Sequence, residues 1–169
     1  TKLEIGDDKN RKGEYTMVVG VKNVNGKATT YDVSALVNTE GVSTTYTSHG
    51  DRTVTQDGYA LEGAQKFFTV EKVEGGTHSG NKVTVDAGAT AKVTVKVTLT
   101  EDDKKYLDEN FENGMYIEGF VKFTATGDTK TDLSVPFLGF YGDWTQAPIF
   151  DEEYYDTNKD ELNAGIDWE

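Results

Sequence analysis

Residues 91–100 read AKVTVKVTLT. Ala91, Val93, Val95, Val97 and Leu99 fall on one side of an extended chain, and Lys92, Thr94, Lys96, Thr98 and Thr100 on the other. Successive side chains leave a strand on opposite sides, so this period of two marks a β-strand with one buried and one wet face. The pattern recurs on either side of it. Tyr15, Met17, Val19 and Val21 alternate with Glu14, Thr16, Val18 and Gly20. Val33, Ala35 and Val37 form another apolar face, as do Met115, Ile117, Val121 and Phe123, and then Leu133, Val135, Phe137 and Gly139. Residues 67–70 and 83–85 are shorter candidates. About seven short strands with turn-rich spacers predict an all-β fold, and none of these sheets could bury its apolar face alone. Two must stack, as an antiparallel sandwich.

The turns support that reading. Asn25-Gly26 separates two strands and is expected to supply the positive φ angles of a tight hairpin. Gly75-Gly76 and Ser79-Gly80 bracket another turn, and Gly127-Asp128 separates the last two strands. One helix interrupts the strands. Thr100 precedes EDDKKYLDENF, with Asp103 three residues on, a capping-box start whose early acids suit the positive end of the helix dipole. Tyr106, Leu107 and Phe111 would face the sheet and Asn113-Gly114 would end the segment, making it a short crossover helix. Between residues 39 and 63 the pattern weakens into Thr- and Gly-rich sequence, read as an elaborated loop or edge strands. No internal repeat is present.

The chain has 169 residues, no cysteine, two histidines and a net charge of −13. That length fits one domain with an extension: a sandwich over residues 1–150 and an acidic extension or linker over 151–169. The last nineteen residues carry eight acids and one lysine, the composition of a segment that makes no core of its own. Lacking a leader at Thr1, the chain reads as a piece of something longer. Acidity argues against a nucleic-acid partner and an anionic membrane surface, because both are held by Lys and Arg. No apolar run approaches the ~18 residues of a spanning helix. Zero cysteine excludes a thiol nucleophile, a disulfide framework and a thiolate metal site.

Several segments resemble chemistry without completing it. GGTHSG, residues 75–80, echoes a serine-protease histidine signature, yet no strand-borne acid precedes it and no nucleophile segment follows, so His78 reads as an exposed turn residue. His49 reads as a loop residue. Paired acids such as Asp7-Asp8, Asp102-Asp103 and Glu152-Glu153 lie on polar segments and read as solvated surface rather than as a glycosidase pair. Asp156, Asn158, Asp160 and Asp167 form a weak calcium candidate, but Glu161 stands where such a loop needs glycine. Tyr31, Tyr46, Tyr59, Tyr154 and Tyr155 could form a carbohydrate platform, though tyrosines in a sandwich mostly fill cores. No catalytic residue and no cofactor is expected.

A more specific signal begins at Asn113, with NGMYIEGFVKFT, and continues as LSVPFLGFYGDWTQAPIFD to Asp151. It resembles the end of the fibronectin type III-like accessory domain of Gram-positive subtilisin-like cell-envelope proteases, the lactocepin and complement-anaphylatoxin-cleaving peptidase family. The matching positions are Gly114, Tyr116, Glu118, Gly119 and Phe120, then Pro136, Gly139, Tyr141, Gly142, Trp144 and Pro148. YTMVVGVKNVNGKATTYDVSALV, residues 15–37, is similar to that family's first hairpin. The likeness spans about residues 2–151; the stretch near 40–66 and the acidic tail depart from it. Proline cannot donate a ladder hydrogen bond, so the strand holding Pro136 is expected at an edge or bulge, while Gly139 and Gly142 permit close backbone approach.

The resemblance implies a fibronectin type III or immunoglobulin-like sandwich that braces a serine endopeptidase and helps it recognise protein substrates. It implies as partners the catalytic and neighbouring domains of the same polypeptide, and an extracellular, cell-wall-associated location. Tyr141, Trp144 and Pro148 would then serve interdomain packing. A stalk module of a non-enzymatic surface protein and a carbohydrate-binding module stand as alternatives, since a sandwich alone does not determine function.

Overall fold

The computed structural model describes residues 2–47, 50–127 and 131–146. Among the described residues ten strands run in chain order: β1 Leu3–Asp8, β2 Glu14–Lys22, β3 Thr29–Thr47, β4 Gly50–Ala60, β5 Thr69–Glu74, β6 Thr77–Ser79, β7 Lys82–Val85, β8 Thr90–Thr98, β9 Met115–Thr126 and β10 Leu133–Tyr141. Helix α1, Glu62–Lys66, lies between β4 and β5, and α2, Glu101–Asn110, between β8 and β9. A seven-stranded sheet has the order β1-β10-β9-β3-β7-β6 with β4 paired to β3, and a three-stranded sheet has the order β2-β8-β5.

The predicted stripes close on each other. Tyr15, Met17, Val19 and Val21 from β2 and Ala91, Val93, Val95 and Val97 from β8 line one layer. Val33, Ala35 and Val37 from β3, with Ile117, Val121 and Phe123 from β9, line the other, and all belong to one buried cluster. β2 and β8 pair antiparallel in strict register, with Val19 opposite Val93, so each apolar residue keeps the same side along the whole ladder. The helix starts as expected. The Thr100 hydroxyl accepts the Asp103 amide hydrogen bond (3.2 Å) and the Asp103 carboxylate accepts from the Thr100 amide (2.9 Å), and Leu107 and Phe111 are buried on the core side.

Three expectations change, and one open alternative is resolved. Asn25-Gly26 is not a hairpin turn: β2 and β3 belong to different sheets, and neither residue has a positive φ. The loop is instead held from within. The buried Asn23 amide donates to the carbonyls of Lys27 (2.8 Å), Val85 (3.0 Å) and Asp86 (3.2 Å), and its own oxygen accepts the Asn25 N–H (3.0 Å). Residues 67–70 do not begin a strand at Phe67, which caps the end of α1 and is exposed; β5 begins at Thr69. Of the two readings of the stretch between 39 and 63, loop or edge strands, edge strands form: β3 runs on to Thr47 and pairs with β4 from Asn38 opposite Ala60. Leu133, expected inside, is exposed at the open start of β10.

β10 pairs with β9 over its whole length but meets β1, in parallel, only from Phe137 onwards. Pro136 is therefore the last residue whose β1 side is open, which reconciles its missing donor with a strand that is elsewhere internal.

Candidate docking site at the exit of the last strand

β10 ends at Tyr141, and a single 3-10 turn, Trp144–Gln146, follows. The Trp144 amide donates to the Asp7 carboxylate (3.2 Å), which ties the turn to β1. Asp143 is held by the Thr145 hydroxyl (2.6 Å), the Thr145 amide (3.0 Å) and Lys9 Nζ (3.2 Å). Those donors, the Thr145 hydroxyl first, keep its carboxyl below the usual carboxylate range. Above this turn the Trp144 indole meets Phe140 edge-on with ring centres 5.2 Å apart and Tyr116 at 5.1 Å, while Tyr116 and Phe140 pack at 5.3 Å. Such tilted and edge-to-face pairs are favourable beyond the area they bury. A shallow cavity of about 220 Å³ opens beside them, lined by Glu4, Asp7, Leu138 and Trp144 among others.

Trp144 remains 49% exposed, an amphipathic plate held in place by the domain but not covered by it. Tyr141, which shares its predicted role, is 1% exposed. Its hydroxyl donates to Asp108 (3.3 Å), and the Arg11 guanidinium, ion-paired with Asp108 at 2.6 Å, stands 5.6 Å from its ring centre. Tyr141 thus packs within its own domain, and of the two described residues of that expectation Trp144 is the exposed one. Pro148 lies outside the described residues, as do His49 and the calcium candidates Asp156, Asn158, Asp160 and Asp167.

The other sequence candidates do not assemble into a reactive site. His78 is exposed on β6, its Nδ1 3.1 Å from the Gly80 carbonyl oxygen. Among the described residues no group of three or more His, Asp or Glu could hold a metal ion. A larger cavity of about 650 Å³ lies between α1 and the start of α2. It contains no histidine, and its Asp103 is already bound to Thr100. Of the proposed aromatic platform, Tyr31 is buried against Phe123 and Tyr59 stacks on Tyr106 with ring centres 3.6 Å apart, while the side chain of Tyr46 is outside the described ones. Tyr154 and Tyr155 lie outside the described residues.

Tyr116 and Phe120 occupy the phase of β9 opposite to the core residues Ile117 and Val121, so their outward direction was available in the alternation. Phe140 was not singled out. It is buried on the outer face only because β1, Tyr116 and Trp144 surround it.

These features define an immunoglobulin-like β-sandwich module with a half-exposed aromatic cluster just past the end of β10. Residues 4–138 match the family described as the Fn3-like domain, and the chain belongs to it. It is similar to the C5a peptidase of Streptococcus pyogenes, 30% identical over 92 residues, covering 48% of this chain and 8% of that protein. It is also similar to the PII-type proteinase of Lactococcus lactis subsp. cremoris, 29% identical over 82 residues, covering 48% of this chain and 4% of that protein. The chain therefore spans less than a tenth of the relatives it matches. Among solved structures, a family 123 glycoside hydrolase from Clostridium perfringens overlays on 82% of this chain and 22% of its own with a TM-score of 0.46 and 7% identity, a likeness too loose to bear on function.

Proposed function

We propose that this sandwich is a non-catalytic accessory module of a secreted, cell-wall-associated, subtilisin-like serine endopeptidase. It braces the catalytic unit and adds surface for protein-substrate recognition away from the scissile bond. The observation that carries this reading is the Fn3-like match over residues 4–138 together with similarity to two named peptidases of much greater length. The isolated, exposed His78 fits it, because nucleophilic catalysis needs a base in reach of a nucleophile and an orienting acid. No helix among the described residues is long and apolar enough to cross a membrane.

The test is deletion of residues 4–138 from the whole polypeptide. Hydrolysis of a folded protein substrate should fall much further than hydrolysis of a short chromogenic peptide, and the catalytic unit should melt at a lower temperature. Deletion that leaves both rates and the melting temperature unchanged would remove the bracing role. A whole polypeptide without a serine-protease nucleophile segment would shift the reading to a stalk module of a surface protein.

A further inference from the structure

The cavity of about 650 Å³ between α1 and the start of α2 has a chemistry that the sandwich core does not use. At Gly63 the helices touch so closely that an added methyl would overlap the Thr100 hydroxyl, and beside that contact the space opens. One wall is aromatic. Tyr59, 41% exposed, lies flat on Tyr106, with ring centres 3.6 Å and planes 5° apart. The Tyr106 hydroxyl donates in turn to the Glu40 carbonyl (2.9 Å). Tyr59 is therefore a fixed plate whose second face is left to the cavity it lines. Phe67, 55% exposed, adds a second apolar surface to the lining.

The charged groups of the lining are free, and those next to it are not. Asp103 is only 6% exposed. Its Oδ2 accepts the Thr100 amide (2.9 Å) and hydroxyl (2.8 Å), while its Oδ1 accepts nothing from the described residues. Glu62 and Asp102 make no hydrogen bond or ion pair among the described residues. Neither does Lys66, whose ammonium stands 5.7 Å from the centre of the Phe67 ring. Outside the cavity, Glu101 is paired with Lys104 (2.6 Å) and Lys105 with Glu109 (3.8 Å).

The geometry points to a binding site for a short neutral saccharide. One sugar ring would stack its C–H face on Tyr59, its hydroxyls donating to Asp103 Oδ1, Asp102 and Glu62 and accepting from Lys66. The mixed lining selects this class by elimination. Three carboxylates repel a phosphate or an acidic sugar. Among the described residues no group of three or more His, Asp or Glu could hold a metal ion. A cationic side chain would compete with Lys66, which already holds the cation position over Phe67. A purely apolar guest would strip water from the acids and return no hydrogen bond. A neutral polyol supplies donors for the acids and acceptors for the lysine, and bonds to charged partners are the stronger kind. The volume falls within the about 300–1,000 Å³ of small-molecule sites. The inference is independent of the accessory role, since a peptidase module and a stalk module could equally carry such a site.

The test titrates the 169-residue chain, labelled with nitrogen-15, with maltotetraose, cellotetraose, chitotetraose and mannotetraose. At least one should bind with a Kd of about 1 mM or tighter, shifting amides in residues 59–67 and 100–103. Its ring C–H protons should receive saturation from an aromatic side chain. Tyr59→Phe should keep that transfer, and Tyr59→Ala should lose it and weaken binding at least about fivefold. Asp102→Asn and Glu62→Gln, both at exposed positions, should each weaken binding at least about threefold without altering the fold. Failure of all four saccharides to bind overturns the site. Binding that leaves those amides unmoved, or that Tyr59→Ala and the two acid variants leave unchanged, places the saccharide elsewhere and overturns it too. Tighter binding of N-acetylarginine amide, or equal binding of tetragalacturonate, overturns the ligand class. None of these outcomes touches peptidase activity, so the accessory role stands or falls separately.

Discussion

Gly119 sits on β9 between Val37 of β3 and Phe137 of β10, and there is no room beside it. A methyl group added there would overlap the carbonyl oxygen of Leu36 and stand 3.0 Å from the Phe137 ring. Backbone cannot yield as a flexible side chain can, so Gly119→Ala should destabilise by at least about 2–3 kcal/mol through overpacking, read as a lower midpoint in urea unfolding. Asn23 offers a second residue-scale test with a different cause. Its amide serves three carbonyls from two separate segments, and Asn23→Ala would leave Val85 and Asp86 short of a donor in a buried place. The expected cost is about 2–3 kcal/mol, and Asn23→Asp, which sets a carboxylate against the same carbonyls, should cost more; thermal melts of the three proteins check the order. The two positions differ in legibility. A glycine inside an alternating strand already signals close approach. Nothing about KNVNG shows that Asn23, rather than the Asn-Gly pair beside it, governs the loop, because the two carbonyls that tie it to the other segment lie some sixty residues away in sequence.

Elements were readable where one local signal decided them and hidden where a distant partner did. β2, β8 and β9 each carry four or more apolar residues in phase, and α2 carries its capping box in consecutive letters. β1 has only Leu3 and Ile5 before a run of acids, a register shift at Gly6, and a parallel partner at the far end of the chain. Helix α1 spans five residues, too few for a helical period to emerge from the sequence. It exists because Leu61 and Ala64 are buried and because Gly63 presses onto the Thr100–Asp103 cap of α2. The aromatic cluster past the end of β10 was half legible for the same reason. Trp144 could be found from resemblance, but the burial of Tyr141 depends on Arg11 and Asp108, which only the fold brings to it. The cap is the element-scale test. Thr100→Ala removes the acceptor for the Asp103 amide and should cost about 1 kcal/mol, with Thr100→Ser recovering most of it. Because α1 leans on that cap, amide exchange in residues 61–66 should quicken together with the first turn of α2; exchange that changes in α2 alone would show the two helices to be uncoupled.

Across the whole molecule, the tyrosines on the N-terminal and C-terminal strands make the sandwich sensitive to alkali. The Tyr141 hydroxyl is pushed up to about 12, first by burial and then by the charge of Asp108 to which it donates. Tyr15, buried at the start of β2, is raised further by burial and by Asp8, whose carboxylate accepts its hydrogen bond at 3.4 Å. Tyr106, bound to the Glu40 carbonyl at 2.9 Å, is raised in the same direction, burial again leading. In the unfolded chain each would ionise near 10. The folded state therefore holds these protons after the unfolded state has released them, and stability that is fully present below pH 10 declines as the pH rises towards 12. Asp8 and Asp108 sit on opposite sides of the same junction, where β1 meets β10 and Arg11 bridges to α2, so the loss should begin by loosening that junction rather than the β2–β8 ladder. Urea midpoints measured from pH 9 to pH 12 should fall progressively, and tyrosinate absorbance should show a late-titrating group in the folded protein that joins the rest in urea. Tyr141→Phe should flatten part of the decline while leaving the midpoint at neutral pH little changed. A midpoint independent of pH across that window would mean that these hydroxyls reach water in the folded state.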